Sequence, residues 1–213
     1  MSSEASREIP DGGDADARGT WPSPELIGSW LGDADIDFEF RPGEASPVHT
    51  EDAAAAAAAR RFRDVMGRFA SGVTVVTSTS GGEPVGLTCQ SFSSVSLDPP
   101  LVLFVPAKTS RAWPLIQRSG TFCVNFLGAD QAEVSNTMAS RGVDKFADVK
   151  WRPSAETGSP VLDGVLGHVD CTIQAVHEAG DHYVVIGRVL DLEMTEAEEP
   201  LLFFRGGYTT TEG

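Results

Sequence analysis

The sequence predicts a mainly β domain, an antiparallel barrel or sandwich with a few short helices, behind an acidic N-terminal extension. Eight short apolar segments rich in β-branched and aromatic residues follow one another between Val73 and Phe204, bounded by Gly, Pro, Ser or Asp. That is the pattern of strands joined by turns. Helical periodicity is confined to three short stretches, so the strand–helix alternation that builds a parallel sheet is missing. The composition changes near residue 57, which separates the extension from the folded part.

Residues 1–57 are rich in Asp, Glu, Gly, Ser and Pro and hold most of the charge. Up to Ala59 there are 13 acidic residues against 3 arginines, a net of −10; the rest has 18 acidic and 13 basic residues, a net of −5, giving the total of −15. Such a segment buries too little apolar surface to offset its ordering entropy, so disorder is its default. Within it, 25-ELIGSWLGDADIDFEF-40 carries aliphatic and aromatic residues that are costly to leave in water, which suits docking onto its own domain or onto a partner.

The alanine run 53–59 has high helix propensity and extends the helix predicted for 60-RRFRDVMGRFASG-72. There Phe62, Val65, Met66 and Phe69 recur at i, i+3, i+4 and i+7 and make one apolar stripe, and Gly72 ends it. The folded domain, 58–213, is expected to start near Ala58. A hairpin follows, 73-VTVVTST-79 and 83-EPVGLT-88 around Ser-Gly-Gly, then strands at 92–96, 100–105 and 121–127. A helix is predicted after Pro114, a good first-turn residue, and another at Asp130, where Glu133 completes a capping-box pattern. Two long strands, 168–178 and 183–194, are joined by a tight Ala-Gly-Asp-His turn, and 201-LLFF-204 is the last.

Acidity without a Lys/Arg cluster is a poor match for nucleic acid or an anionic membrane. The N-terminus lacks the apolar core of a secretory signal, and no run of 18 apolar residues offers a membrane span. Three isolated cysteines, Cys89, Cys123 and Cys171, fit reduced, buried thiols in a cytoplasmic protein. No dinucleotide fingerprint, P-loop, nucleophile elbow or His-Glu-x-x-His is present. The cluster 168-HVDC-171 with His177, Asp181 and His182 raises a metal reading. Side-chain alternation and the turn position of Asp181 and His182 favour a backbone-supporting role instead, so no metal is expected. The segment 107-AKTSRAW-113, two hydroxyls and two cations between a strand and a helix, suits a phosphate clamp or a simple helix cap.

The segments 67-GRFASGVTVVTS-78, 86-GLTCQSFSSVSLDPPLV-102, 122-FCVNFL-127, 180-GDHYVVIGRV-189 and 201-LLFFRGGY-208 come in an order and spacing that resemble the flavin reductase-like family. These are FMN-binding split barrels, the short-chain reductase components of two-component flavin-dependent monooxygenases. The resemblance runs from about Phe62 to Tyr208. It implies a Greek-key split β-barrel that binds FMN or FAD, takes a hydride from NADH or NADPH, and works as a homodimer with a transient oxygenase partner. By position it implies that Thr88, Cys89, Gln90, Ser91 and Phe92, with Ser94 and Val95, cradle the isoalloxazine and ribityl chain. Thr109, Ser110 and Arg111 would hold the phosphate end, with Arg141 on the same side. His182, with Asp181 in the Gly-Asp-His motif, matches the nicotinamide position and carries the catalytic role. Tyr208 lies near the site, and Arg68 is a candidate for the nicotinamide side.

The hydroxyls of Thr88, Ser91 and Ser94 are expected to satisfy the polar edge of the flavin, since burying them without partners costs roughly 1–3 kcal/mol each. Two other activities fit the same resemblance: a non-catalytic flavin-binding protein, and a flavoenzyme that keeps its flavin and reduces another substrate. The Gly-Asp-His turn argues against the first, because a storage protein needs no nicotinamide site.

Overall fold

The computed structural model describes residues 53–140, 144–197 and 199–211. The 25–40 segment and Arg141 lie outside the described residues. Helix α1 (Ala53–Met66) includes the alanine run and starts five residues before the expected boundary. Its apolar stripe stays outside the core: Phe62 is 67% exposed and Phe69, just beyond the helix, 75%.

The strands are β1 (Ser71–Gly72), β2 (Thr74–Ser80), β3 (Glu83–Cys89), β4 (Ser93–Leu97), β5 (Pro100–Phe104), β6 (Thr121–Phe126), β7 (Trp151–Pro153), β8 (Pro160–Leu162), β9 (Gly167–Ala179), β10 (His182–Met194), β11 (Leu202–Phe204) and β12 (Gly207–Thr209). Helices α2 (Trp113–Ser119) and α3 (Ala132–Ala139) interrupt them. Seven strands form one antiparallel sheet in the order β3-β2-β6-β9-β10-β5-β4.

That order dictates a curl. The edge strands β3 and β4 are consecutive in the chain, separated only by residues 90–92. Laid flat, seven strands span roughly 29 Å, whereas the four steps from Cys89 to Ser93 reach at most about 14 Å. The sheet therefore rolls until its edges meet along a seam at Gln90–Phe92, and the result is the expected split barrel.

The rolled sheet buries Val76, Phe104, Phe122, Val124 and Val185 inside. Helix α2 packs into the same cluster through Trp113 and Ile116, with Trp113 edge-on to Phe104 at 5.8 Å. The opposite face of β2 and β6 is covered by α3 and β8, where Val75, Leu127, Met138 and Leu162 form a second cluster. Strand β2 is thus buried on both faces, which explains why 73-VTVVTST-79 alternates so weakly.

Two local details differ from the sequence reading, and a third, the Ala-Gly-Asp-His turn, agrees with it. The capping box at Asp130 does not form: α3 starts at Ala132, and Gln131 instead accepts from the Gly128 N–H (2.9 Å) and donates to the Asp163 carbonyl (2.8 Å). The β9–β10 turn is the two-residue loop Gly180-Asp181, closed by the pair His182↔Ala179, with Gly180 at φ 65°. The short hairpin β7–β8 carried no alternation long enough to predict it. Among the described residues, no helix is long and apolar enough to cross a membrane.

Asp170 of the polar cluster on β9 has a structural role. Asp170, fully buried, accepts the Glu156 N–H (3.2 Å), the Thr157 N–H (3.0 Å) and the Thr157 hydroxyl (2.6 Å), tying the loop after β7 to the barrel. Asn125 on β6 accepts the Leu162 N–H (2.8 Å) and donates to the Val75 and Pro160 carbonyls (both 3.2 Å), fixing β8 against β2.

Candidate functional site

At the seam the chain leaves a cavity of about 250 Å³, lined by Leu87, Thr88, Cys89, Gln90 and Ser91 on one side and Val105, Pro106, Ala107, Thr109 and Ser110 on the other. Met138 and Ala139, from the end of α3, and His182 complete it. The split barrel creates the cavity because the edge strands meet without pairing. Ser91 bridges the opening: its hydroxyl donates to the Val105 carbonyl and accepts the Val105 N–H, both at 3.2 Å. The 106–110 loop is held to the β9–β10 hairpin by Tyr183 N–H to the Pro106 carbonyl (2.9 Å), Lys108 N–H to the Asp181 carbonyl (2.9 Å), and an ion pair of Lys108 with Glu178 (2.9 Å).

His182 faces the cavity with its Nδ1 2.7 Å from Asp181 Oδ1. That hydrogen bond holds the Asp181 carboxyl below its ordinary range. The ionised Asp181 accepts a proton held on Nδ1, so Nε2 of a neutral ring is left as an acceptor for a ligand. Cys89 lines the cavity, and its Sγ is 3.2 Å from Ser91 Oγ. Burial raises the other two thiols, Cys171 to about 12 and Cys123 still higher, so both remain protonated.

Of the residues expected from sequence, Thr88, Cys89, Gln90, Ser91, Thr109, Ser110 and His182 converge on this one cavity. Phe92 packs against Phe126 at 5.2 Å and lines a neighbouring apolar cleft that also includes Gln90 and Phe69. Ser94 and Val95 stand exposed on edge strand β4, Val95 at a bulge, and Arg111 and Arg68 are exposed; none of the four lines the cavity. Tyr208 sits behind it, its hydroxyl 2.8 Å from Ser135 Oγ and 3.0 Å from Asn136 Oδ1 of α3.

The hydroxyls serve differently from the expectation. Thr88 donates to the Ser135 carbonyl (2.6 Å) and Ser91 to Val105, so both spend their protons on the scaffold and offer a ligand only lone pairs. Ser110 accepts the Trp113 N–H (3.3 Å) just ahead of α2, whose N-cap is Ala112, and keeps its own proton to give. Met138 and Ala139 had no sequence signal beyond membership of a helix.

The family model for the flavin reductase like domain matches residues 66–212. The chain belongs to the flavin reductase-like family. The chain is 52% identical to the reductase subunit HsaB of a flavin-dependent monooxygenase from Rhodococcus jostii, over 76% of this chain and 85% of that protein. It is 42% identical to the FMN reductase (NADH) SmoA of Agrobacterium fabrum, over 70% and 84% of the two chains. It is 38% identical to an NADH-dependent FAD reductase of Streptomyces globisporus, over 70% and 83%. The crystal structure of nitrilotriacetate monooxygenase component B from Mycobacterium thermoresistibile superposes with a TM-score of 0.71 at 52% identity, covering 73% of this chain and 88% of that one.

The cavity of this flavin reductase-like domain fits the group the family implies. Among the described residues, the Gln90 side-chain nitrogen is buried without an acceptor, and Gln90 lines both this cavity and the neighbouring cleft. The carbonyl oxygens and ring nitrogens of a flavin are acceptors of the kind it lacks. The apolar walls at Leu87, Val105, Pro106 and Met138 suit a flat ring.

Proposed function

We propose that this protein is an NADH:flavin oxidoreductase that reduces FMN or FAD and passes the reduced flavin to a flavin-dependent oxygenase. The observation that carries the reading is the placement of His182, held by Asp181, at the rim of the cavity lined by Thr88, Gln90 and Ser91. A nicotinamide anchor thus borders a flavin cradle. The flavin, when bound, supplies the ring that accepts the hydride.

This chain's residues bind and orient. Gln90 donates to the polar edge of the flavin, Thr88 and Ser91 offer acceptor lone pairs, and Thr109 and Ser110 lie where the phosphate end leaves the cavity. His182 Nε2 accepts from the nicotinamide carboxamide and sets the approach of the second ring. No side chain has to move a proton for the hydride to pass, so the rate enhancement comes from orientation and water exclusion. The reductase unit is the 58–213 portion, and the protein works in the cytoplasm.

The reading extends to a homodimer. Phe62, Val65 and Met66 on α1 and the adjoining Phe69 leave an apolar stripe exposed beside the cleft at Phe92, and a second copy is the occupant the family suggests. Sedimentation velocity is expected to give twice the chain mass; a monomer at micromolar concentration contradicts it.

The decisive experiment is NADH and NADPH oxidation by the purified protein with and without added FMN or FAD. Turnover with NADH is expected to rise and saturate with free flavin. A tightly bound flavin that neither nucleotide reduces leaves a non-catalytic flavin-binding protein instead. In the same assay His182→Ala is expected to raise the KM for NADH about three- to tenfold, the loss of one hydrogen bond, with flavin affinity unchanged. Lost flavin binding with a normal KM for NADH contradicts the assignment.

A further inference from the structure

The two walls of the cavity are held by different anchors. The 106–110 loop is tied to the β9–β10 hairpin that carries His182, within the seven-stranded sheet. The opposite wall, which includes Thr88, is completed by Met138 and Ala139 at the end of α3. Gln131 fixes the start of that helix through the Gly128 N–H and the Asp163 carbonyl. Its later turns are met by a side chain from outside the main sheet. Tyr208 belongs to β12, in the separate sheet β1-β11-β12, and its ring stands edge-on to Phe203 at 5.7 Å.

The Tyr208 hydroxyl reaches two consecutive residues of α3, Ser135 Oγ at 2.8 Å and Asn136 Oδ1 at 3.0 Å. It has one proton to give, and an amide oxygen only accepts. Tyr208 therefore donates to Asn136 and takes the proton of Ser135. Burial raises the Tyr208 hydroxyl above its ordinary range, so it keeps that proton at neutral pH. The contact continues to the cavity. Ser135 is fully buried, and its carbonyl accepts the hydroxyl of the lining residue Thr88 at 2.6 Å. Met138 and Ala139 follow one turn later on the same helix. One chain of hydrogen bonds thus joins β12, α3 and β3 and ends on the wall. Tyr208 itself does not line the cavity, so its influence on a ligand passes through α3.

We propose that Tyr208 is a positioning residue that sets the flavin affinity of the cavity by fixing the end of α3 through Ser135. The inference rests on the flavin reading above. It separates the two walls: a flavin in the cavity meets both, whereas the nicotinamide contact assigned to His182 belongs to the wall that Tyr208 does not hold. Loss of the Tyr208 hydroxyl should therefore be felt by the flavin and not by NADH.

The test measures the dissociation constant of FMN by quenching of flavin fluorescence, and the KM for NADH at saturating FMN. Tyr208→Phe keeps the ring against Phe203 and removes the hydroxyl. FMN binding is expected to weaken about fivefold, the scale of one neutral hydrogen bond, with the KM for NADH held within about twofold. Ser135→Ala removes the other end of the same bond and is expected to weaken FMN binding by a similar factor. The double variant is expected to bind FMN within about twofold of the weaker single variant, because both changes break one link. Three results overturn the proposal: unchanged FMN affinity in Tyr208→Phe, a KM for NADH that rises as far as the FMN dissociation constant, or single losses that multiply in the double variant. If Tyr208→Phe does not fold, the same two constants for Ser135→Ala decide. Failure of the unaltered protein to bind FMN instead removes the flavin reading itself, and this inference with it.

Discussion

Asp170→Ala is expected to lower the stability of the domain by about 3 kcal/mol, the cost of leaving several buried donors without an acceptor after discounting for water that enters near the loop. The side chain is fully buried and serves the Glu156 and Thr157 N–H groups and the Thr157 hydroxyl together. For a domain of this size that corresponds to a fall in Tm of roughly 6–12 °C. Asp170→Asn keeps the shape and one acceptor oxygen, so it is expected to lose less. A thermal midpoint for Asp170→Ala within about 2 °C of the parent protein would mean that the loop does not depend on this staple.

Gly187→Ala is expected to cost about 2–3 kcal/mol by overpacking. The added methyl would overlap Phe122 Cζ and lie 3.0 Å from Cε1. Phe122 cannot move away cheaply, because it is fully buried and its ring packs against Phe104 at 5.0 Å. The register of β10 on β9 shifts between Ile186 and Gly187, so the glycine also sits where the strand bends. The urea midpoint is expected to fall with an unchanged m-value. Adding Phe122→Leu makes room for the methyl, so the double variant is expected to lose less than the sum of the two single losses. Strict additivity contradicts the contact.

Both expectations concern contacts that pattern reading could not supply. The strands at 73–79, 100–105 and 183–194 were legible because alternation and β-branching are local properties of consecutive residues, and the hairpin at Gly180 was legible because only a few residue types turn so tightly. Asp170 was legible as a polar residue on a strand, yet its partners come from a loop 13 and 14 positions earlier. Short elements such as β7 and β8 offered too few residues for any period to show.

The same division runs through the site. Gln90, Ser91, Thr109, Ser110 and His182 were named from motifs, and the fold brings them to one cavity. Ser94, Val95, Arg111 and Arg68 belong to the same motifs but do not line it: the first two stand exposed on edge strand β4, and the two arginines lie in loops outside the sheet. The destinations of the Thr88 and Ser91 hydroxyls were invisible too, because an α3 carbonyl and the end of β5 reach them only once the sheet has rolled.

By itself the sequence determined the strand-rich class, the partition of charge between an acidic extension and a near-balanced domain, and the motifs that carry the family. The tertiary structure alone decided where the barrel opens, which hydroxyls are free to serve a ligand, and how Met138 and Ala139 come to line the cavity. The reason is physical: local propensity and periodicity act over a few residues, whereas a seam between consecutive edge strands is a closure condition on the whole sheet.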